Sequence, residues 1–300
     1  MANLKEIRTR IASVASTRQI TSAMKMVAAA KLKKAQDAVI NFRPYALKMK
    51  DVMSNVDSSK GLDDNNVYME DRDYKQVLIV VLTSNKGLCG AFNSNAIKEA
   101  LLLAERKYGN SFTPIHIRYL AIGKKGYDIL RKRMLPLDEP NTEITERLTY
   151  EKAADIAQSL MDNFKSGRYD CIDIVYNEFI NAASQKVVSK QFLPLLQENK
   201  RNSKDRKSED RKKQVDYLFE PSKENILNEL IPQNLRLMLY EALLDSVASE
   251  FGARMTSMHQ ATDNATTLIQ EFTLQYNKAR QAAITNELVE IVGGAEALKG

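Results

Sequence analysis

Residues 76–83 (QVLIVVLT) form an apolar run that leads into SNKGLCG at 84–90 and then into a helical pattern from Asn93. Strand, glycine turn and helix start is the arrangement that cradles phosphate, because backbone N–H groups and the helix dipole converge on the anion. The residues fit neither phosphate-binding motif. GxxxxGK[ST] requires lysine after its second glycine, and here Ala91 follows Gly90. GxGxxG requires three glycines, and only Gly87 and Gly90 are present. The segment is expected to be a tight βα connection and not a nucleotide site.

Other reactive residue types are sparse. The two histidines, His116 and His259, have no Cys or His at ligand spacing, so no metal site is expected. One falls in a predicted strand and the other in a long predicted helix, which gives a nucleophilic triad no support. The acidic pairs Asp63–Asp64 and Asp71–Asp73 fall in an expected loop, where solvation accounts for them. Two cysteines, Cys89 and Cys171, fit a reducing compartment without a disulfide framework. No catalytic residue and no cofactor are expected of this chain.

Charge is more informative. The chain of 300 residues has a net charge of +6, yet its first 50 residues hold 11 Lys or Arg against Glu6 and Asp37, a net of +9 that leaves −3 for the rest. Such a segment points to an acidic partner: nucleic acid, membrane surface or acidic protein. It lacks the aromatic interleaving used for stacking on single strands. Its cations, among them Arg8, Lys25, Lys33 and Lys48, spread around the helix and flank an apolar seam, which favours a solvated face or an acidic protein surface over nucleic acid. Val77–Leu82 is the longest strictly apolar run, far short of the ~20 residues that cross a bilayer, so no membrane insertion is expected. The N-terminus has no apolar signal core, and its pattern continues unbroken for 50 residues, as mature structure does.

The elements that carry these residues fall into three parts. Residues 1–57 are expected to form one helix. Leu4, Ile7, Ile11, Val14, Ala28, Leu32, Ala35, Val39 and Phe42 keep a seven-residue repeat, with polar Arg18, Thr21 and Lys25 on the same seam and Pro44 the only breaker. Met24 lies beside that seam as candidate packing surface. Residues 75–197 alternate strands (76–83, 115–122, 170–177, 186–195) with helices (93–108, 124–133, 149–165), predicting a mainly parallel, Rossmann-like α/β domain. Residues 198–214 are a charged loop with eight Lys or Arg and four acids. Residues 215–300 are expected to be helical again, broken or kinked near Pro232 and ended by Gly293–Gly294. From Tyr240 through Leu244, Val247, Phe251, Met255, Met258, Thr262, Ala265, Leu268, Phe272, Tyr276 and Ala279 to Ala283, steps of three and four mark its seam. At 1.5 Å per residue the two helices would run about 80 and 90 Å. Neither can be buried in its own domain. The fold class is therefore α/β, with a long antiparallel coiled coil of N- and C-terminal helices around a central domain.

Five segments together resemble one family. KEIRTRIASVASTRQITSAMKMVAAAKLKKAQ, NKGLCGAFN, DYLFEP at 216–221, SEFGARMTSMHQATDNA and YNKARQAAITNELVEIVGGAEAL resemble the γ subunits of F-type ATP synthases over essentially the full length. The resemblance implies a central rotating shaft that couples ion flow through a membrane c ring to ATP synthesis or hydrolysis on β subunits. Its implied partners are the α and β subunits of the catalytic hexamer, the ε subunit and the c ring, at the cytoplasmic face of a bacterial membrane. Carried over by position, Met24 and Lys25 would face an acidic β loop, with Arg254 on the helix opposite. Arg280, Gln281, Thr285 and Glu287 would make polar contacts with β. Tyr217 and Glu220 would lie near the c ring, while Cys89 and Gly90 would be structural. Two other classes fit the residues alone: a nucleotide-binding α/β enzyme with helical arms, and a basic coiled-coil nucleic-acid binder.

Overall fold

The computed structural model describes residues 4–58, 67–70, 72–109, 114–144, 148–195 and 223–297. They form two compact units, Lys31–Ala253 and Met1–Ala30 with Arg254–Gly300. The long helices α1 (Leu4–Ser58) and α5 (Lys223–Ala297) each contribute to both.

The larger unit is built on a four-stranded sheet: β1 (Gln76–Leu82), β2 (His116–Ile122), β3 (Cys171–Phe179) and β4 (Gln185–Leu193), in the order β2-β1-β3-β4. β1 pairs parallel with β2 and with β3, and β4 closes the edge antiparallel to β3. The expected mainly parallel sheet is present. Its central strand is the QVLIVVL run, buried on both faces, which is why that sequence is continuously apolar instead of alternating. Leu78, Val80 and Leu82 pack toward α4 (Tyr150–Lys165) and the first turns of α5. Val77, Ile79 and Val81 pack toward α2 (Phe92–Leu103) and α3 (Lys124–Lys132). Local chemistry sets the joins. The Thr149 hydroxyl caps α4 by accepting from the Lys152 N–H. Asp170 accepts from the Lys75 and Gln76 N–H groups at 2.9 and 2.8 Å, tying the entry of β3 to that of β1. Gly123 has φ +115° and leaves β2 where a Cβ would stand 2.1 Å from the Thr83 carbonyl oxygen, so glycine is required there.

Two features of this unit depart from the sequence expectation. The helix after the turn ends as a π-helical turn, Ala104–Tyr108, which widens the backbone by one residue. And α5 runs from Lys223 through Pro232 without a break, a break being one of the two outcomes, break or kink, expected there. The residues around the proline explain this. Leu227, Ile231, Leu235 and Leu239 all bury one face against the sheet core, and that burial outweighs one missing backbone hydrogen bond. Pro44 likewise stays inside α1. In this unit α1 meets α5 through Ala35, Val39, Leu244 and Ala248, and Phe42 stands edge-on to Tyr240 at 5.0 Å.

The smaller unit is an antiparallel pair of α1 (through Ala30) and α5 (from Arg254). Ile7, Thr21 and Ala28 are buried on one helix, Met258 and Ala265 on the other, all on the predicted seams. Arg18, on the same seam, is exposed. Arg8 donates to the Tyr276 hydroxyl at 2.9 Å, the Thr21 and Thr262 hydroxyls meet at 2.9 Å, and Lys25 Nζ lies 3.3 Å from His259 Nδ1. The residue numbers of each pair add to 284, 283 and 284, which fixes the register. The helix does not stop at Gly293–Gly294 as expected but continues to Ala297. No neighbouring atom competes for those positions, and Ala295, Glu296 and Ala297 are good helix formers.

Candidate partner-binding surfaces

On α1, Met24 and Lys25 are half-buried at the edge of the seam. Ile20, Met26 and Val27 beside them are fully outward, between 58% and 66% exposed. Sequence periodicity passed over these three because they fall outside the heptad; their apolar type at exposed positions was the available signal. Arg254 is buried at 8% exposure. The register puts residue 260 across from Met24, six residues and therefore about 9 Å from Arg254 along the helix. The two lie on facing helices but not at one level.

Since α1 begins at Leu4 and paired numbers add to 284, α5 has no α1 residue opposite it beyond about residue 280. The candidates Arg280, Gln281, Thr285 and Glu287 stand at the start of this overhang, all exposed. The Thr285 hydroxyl donates back to the Gln281 carbonyl at 2.9 Å. Ile284, Leu288, Val289, Ile291 and Val292 are exposed alongside them. Such an apolar helix end suits a surrounding surface better than water. Tyr217, Glu220 and the charged loop 198–214 lie outside the described residues.

In the larger unit the SNKGLCG turn is tied by hydrogen bonds to Asn93, Lys124 and Thr142. Asn93 accepts from the Ser84 N–H at 2.9 Å and donates to the Ser84 hydroxyl at 2.8 Å and to Cys89 Sγ at 3.3 Å. The Ser84 hydroxyl donates to the Lys86 carbonyl at 2.8 Å. Leu88 and Gly90 take left-handed backbone conformations, φ 63° and 58°, to close the loop. A cleft of about 820 Å³ is lined by Arg118, Asp138, Lys152 and Arg168. It runs along β2 from Arg118 to Asn141, which bridges to Ile122 at the carboxyl end of that strand. Among the described residues no helix is long and apolar enough to cross a membrane.

One polar cluster escaped sequence reasoning. Lys107 Nζ lies 2.8 Å from Asp173 and 2.9 Å from Gln191, and the Tyr108 hydroxyl donates to Asp173 at 2.5 Å. Burial raises the Cys171 thiol to about 11 and raises Tyr108 as well. A neutral thiol and a neutral phenol are not nucleophiles, so the cluster fastens the π turn to β3. Its partners are far apart in sequence, and the π turn that aims Lys107 and Tyr108 leaves no periodic trace.

A four-stranded mixed sheet and two long helices with exposed apolar side chains define the class of fold. The family described as ATP synthase matches residues 3–298. The chain is 52% identical over 300 residues to the ATP synthase gamma chain of Flavobacterium psychrophilum, covering 100% of each. It is 46% identical over 298 residues to that of Cytophaga hutchinsonii, covering 99% of each. A chain from a structure of the central stalk and c ring of the Tetrahymena thermophila mitochondrial ATP synthase superposes with TM-score 0.54 at 26% identity, covering 81% of this chain and 99% of that one. A chain of the Euglena gracilis enzyme, from a structure of its OSCP/F1/c-ring, has the same fold with TM-score 0.69 at 22% identity, covering 98% and 94%. This chain belongs to the ATP synthase gamma chain family.

Proposed function

We propose that the chain is the central rotating shaft of an F-type ATP synthase, coupling ion translocation through a membrane c ring to ATP synthesis or hydrolysis at β-subunit sites. The observation that carries this reading is the antiparallel pair whose α5 strand of helix runs past α1 with its end exposed. A shaft seated in a ring of subunits needs such an end, and a self-contained domain does not. Met24, Lys25 and Arg254 are assigned to the contact with an acidic β surface, and Arg280, Gln281, Thr285 and Glu287 to the contact nearer the tip. Tyr217 and Glu220 are assigned to the c-ring end. The partners are the α and β subunits of the hexamer, the ε subunit and the c ring. The chain sits peripherally, at the cytoplasmic face of the membrane, and supplies no catalytic group to the β sites. The test is co-expression of the affinity-tagged chain with the α and β subunits of its own host. Stoichiometric co-purification and ATP-driven rotation of a probe on the chain are expected. Failure to form a complex, or ATP turnover by the purified chain alone, overturns the proposal.

A further inference from the structure

We propose that His259 is a proton-operated partner switch that sets whether Lys25 is held against the helix pair or released toward an acidic partner. It rests on the assignment of Lys25 as a partner-facing residue. A single nitrogen faces two incompatible groups: His259 Nδ1 lies 3.3 Å from Lys25 Nζ and 3.3 Å from Asp263 Oδ2. An ammonium only donates and a carboxylate only accepts. In the plane of the ring, Nδ1 carries either a lone pair or a proton. With the lone pair it accepts from Lys25 and offers Asp263 nothing. With a proton it donates to Asp263 and repels Lys25. The charged groups that face it are Lys25 from α1 and Asp263 from one turn further along α5.

His259 and Asp263 have side chains 57% and 65% exposed, so solvent delivers the proton without opening the pair. Histidine is the side chain suited to changing charge near neutral pH. While the ring is neutral, the charges of Lys25 and Asp263 cancel. When it takes a proton from solvent, the group of three becomes +1, Lys25 turns outward beside Met24, and attraction to an acidic surface grows. Linkage makes this reciprocal: a partner that draws Lys25 away leaves Nδ1 to Asp263 and promotes protonation.

The full chain contains only two histidines, which suits nitrogen-15 NMR of histidine-labelled protein, with His116→Gln giving the assignment. At pH 8 the His259 ring is expected as the Nε2–H tautomer. Lys25→Met should lower the ratio of Nε2–H to Nδ1–H about two- to five-fold, the size of one exposed hydrogen bond, and Asp263→Asn should raise it. A dominant Nδ1–H tautomer at pH 8, or a ratio that neither variant moves, overturns the switch. In the assembled complex, His259→Gln should change the ratio of ATP hydrolysis rates at pH 6 and pH 8 by about two-fold, as one exposed charge would. An unchanged ratio with the tautomers as expected overturns the coupling of the switch to the partner. Failure of the complex to assemble at all strikes the shaft assignment instead and leaves the tautomer result standing.

Discussion

Asp173 is 2% exposed and receives hydrogen bonds from Lys107 and Tyr108, two side chains that only the π turn aims at it. Asp173→Ala leaves the Lys107 ammonium with Gln191 and the Tyr108 phenol with only the Cys171 sulfur, and is expected to lower unfolding free energy in urea by about 3 kcal/mol. Asp245 is the opposite case. It is 6% exposed, and burial, then Glu241 and Glu178, push its carboxyl up to about 6 against an ordinary 3.8, while Arg43 and Lys190 pull it down. Beside it, the Tyr176 phenol is also raised, by burial and by Asp245. The folded state therefore binds the proton more tightly than the unfolded one. Asp245 contributes most below pH 4, and this contribution is lost as pH rises toward 6. Asp245→Asn should remove that slope and raise stability at pH 7 by about 1–3 kcal/mol, measured as urea unfolding at several pH values. Neither aspartate stands out in sequence. Each lies among residues of ordinary helical or strand pattern, and its partners come from other elements.

At the scale of elements the sequence is more legible. Strand and helix bounds in the central domain fall within one or two residues of expectation because apolar runs, Gly123 and the Thr149 cap mark them locally. Pro232, where the helix continues instead of breaking, and Gly293–Gly294, where it does not end, are points where local propensity competes with something not local. At Pro232 it is burial of Leu227, Ile231 and Leu235. At the glycines it is the absence of any neighbour that would turn the chain. The partner-binding candidates were only half legible. Met24 and Lys25 could be placed beside the seam, but His259 became part of their surroundings only through the register. The overhang yields a prediction at this scale. Of the described residues 284–296 that truncation after Ala283 removes, all are exposed, so the melting temperature of the isolated chain should move by no more than about 1 °C. Hexamer yield and rotation should fall. Truncation after Val292 removes no candidate contact and should leave both nearly intact. Equal damage from the two truncations would place the contact beyond residue 292.

Across the whole molecule, charge is divided unevenly: +9 in the first 50 residues and −3 in the remainder. If the basic segment meets an acidic surface, association should slow as salt rises from 50 to 300 mM, with dissociation changing much less. Stopped-flow mixing with the preformed α and β subunits measures both rates, and a salt-independent association rate would exclude steering by this segment. The register of the smaller unit also restricts how such a chain can change length. Paired residue numbers there hold to 283 or 284 over Arg8–Lys25 of α1 and His259–Tyr276 of α5. Adding one residue to either helix within that span turns everything beyond it by about 100° and carries the seam off its partner. Insertions of seven nearly restore the facing, and equal insertions at the same level of both helices restore the pairing. Residues added beyond Ala283 turn nothing against a partner in this chain, so length variation among related chains should collect at that end.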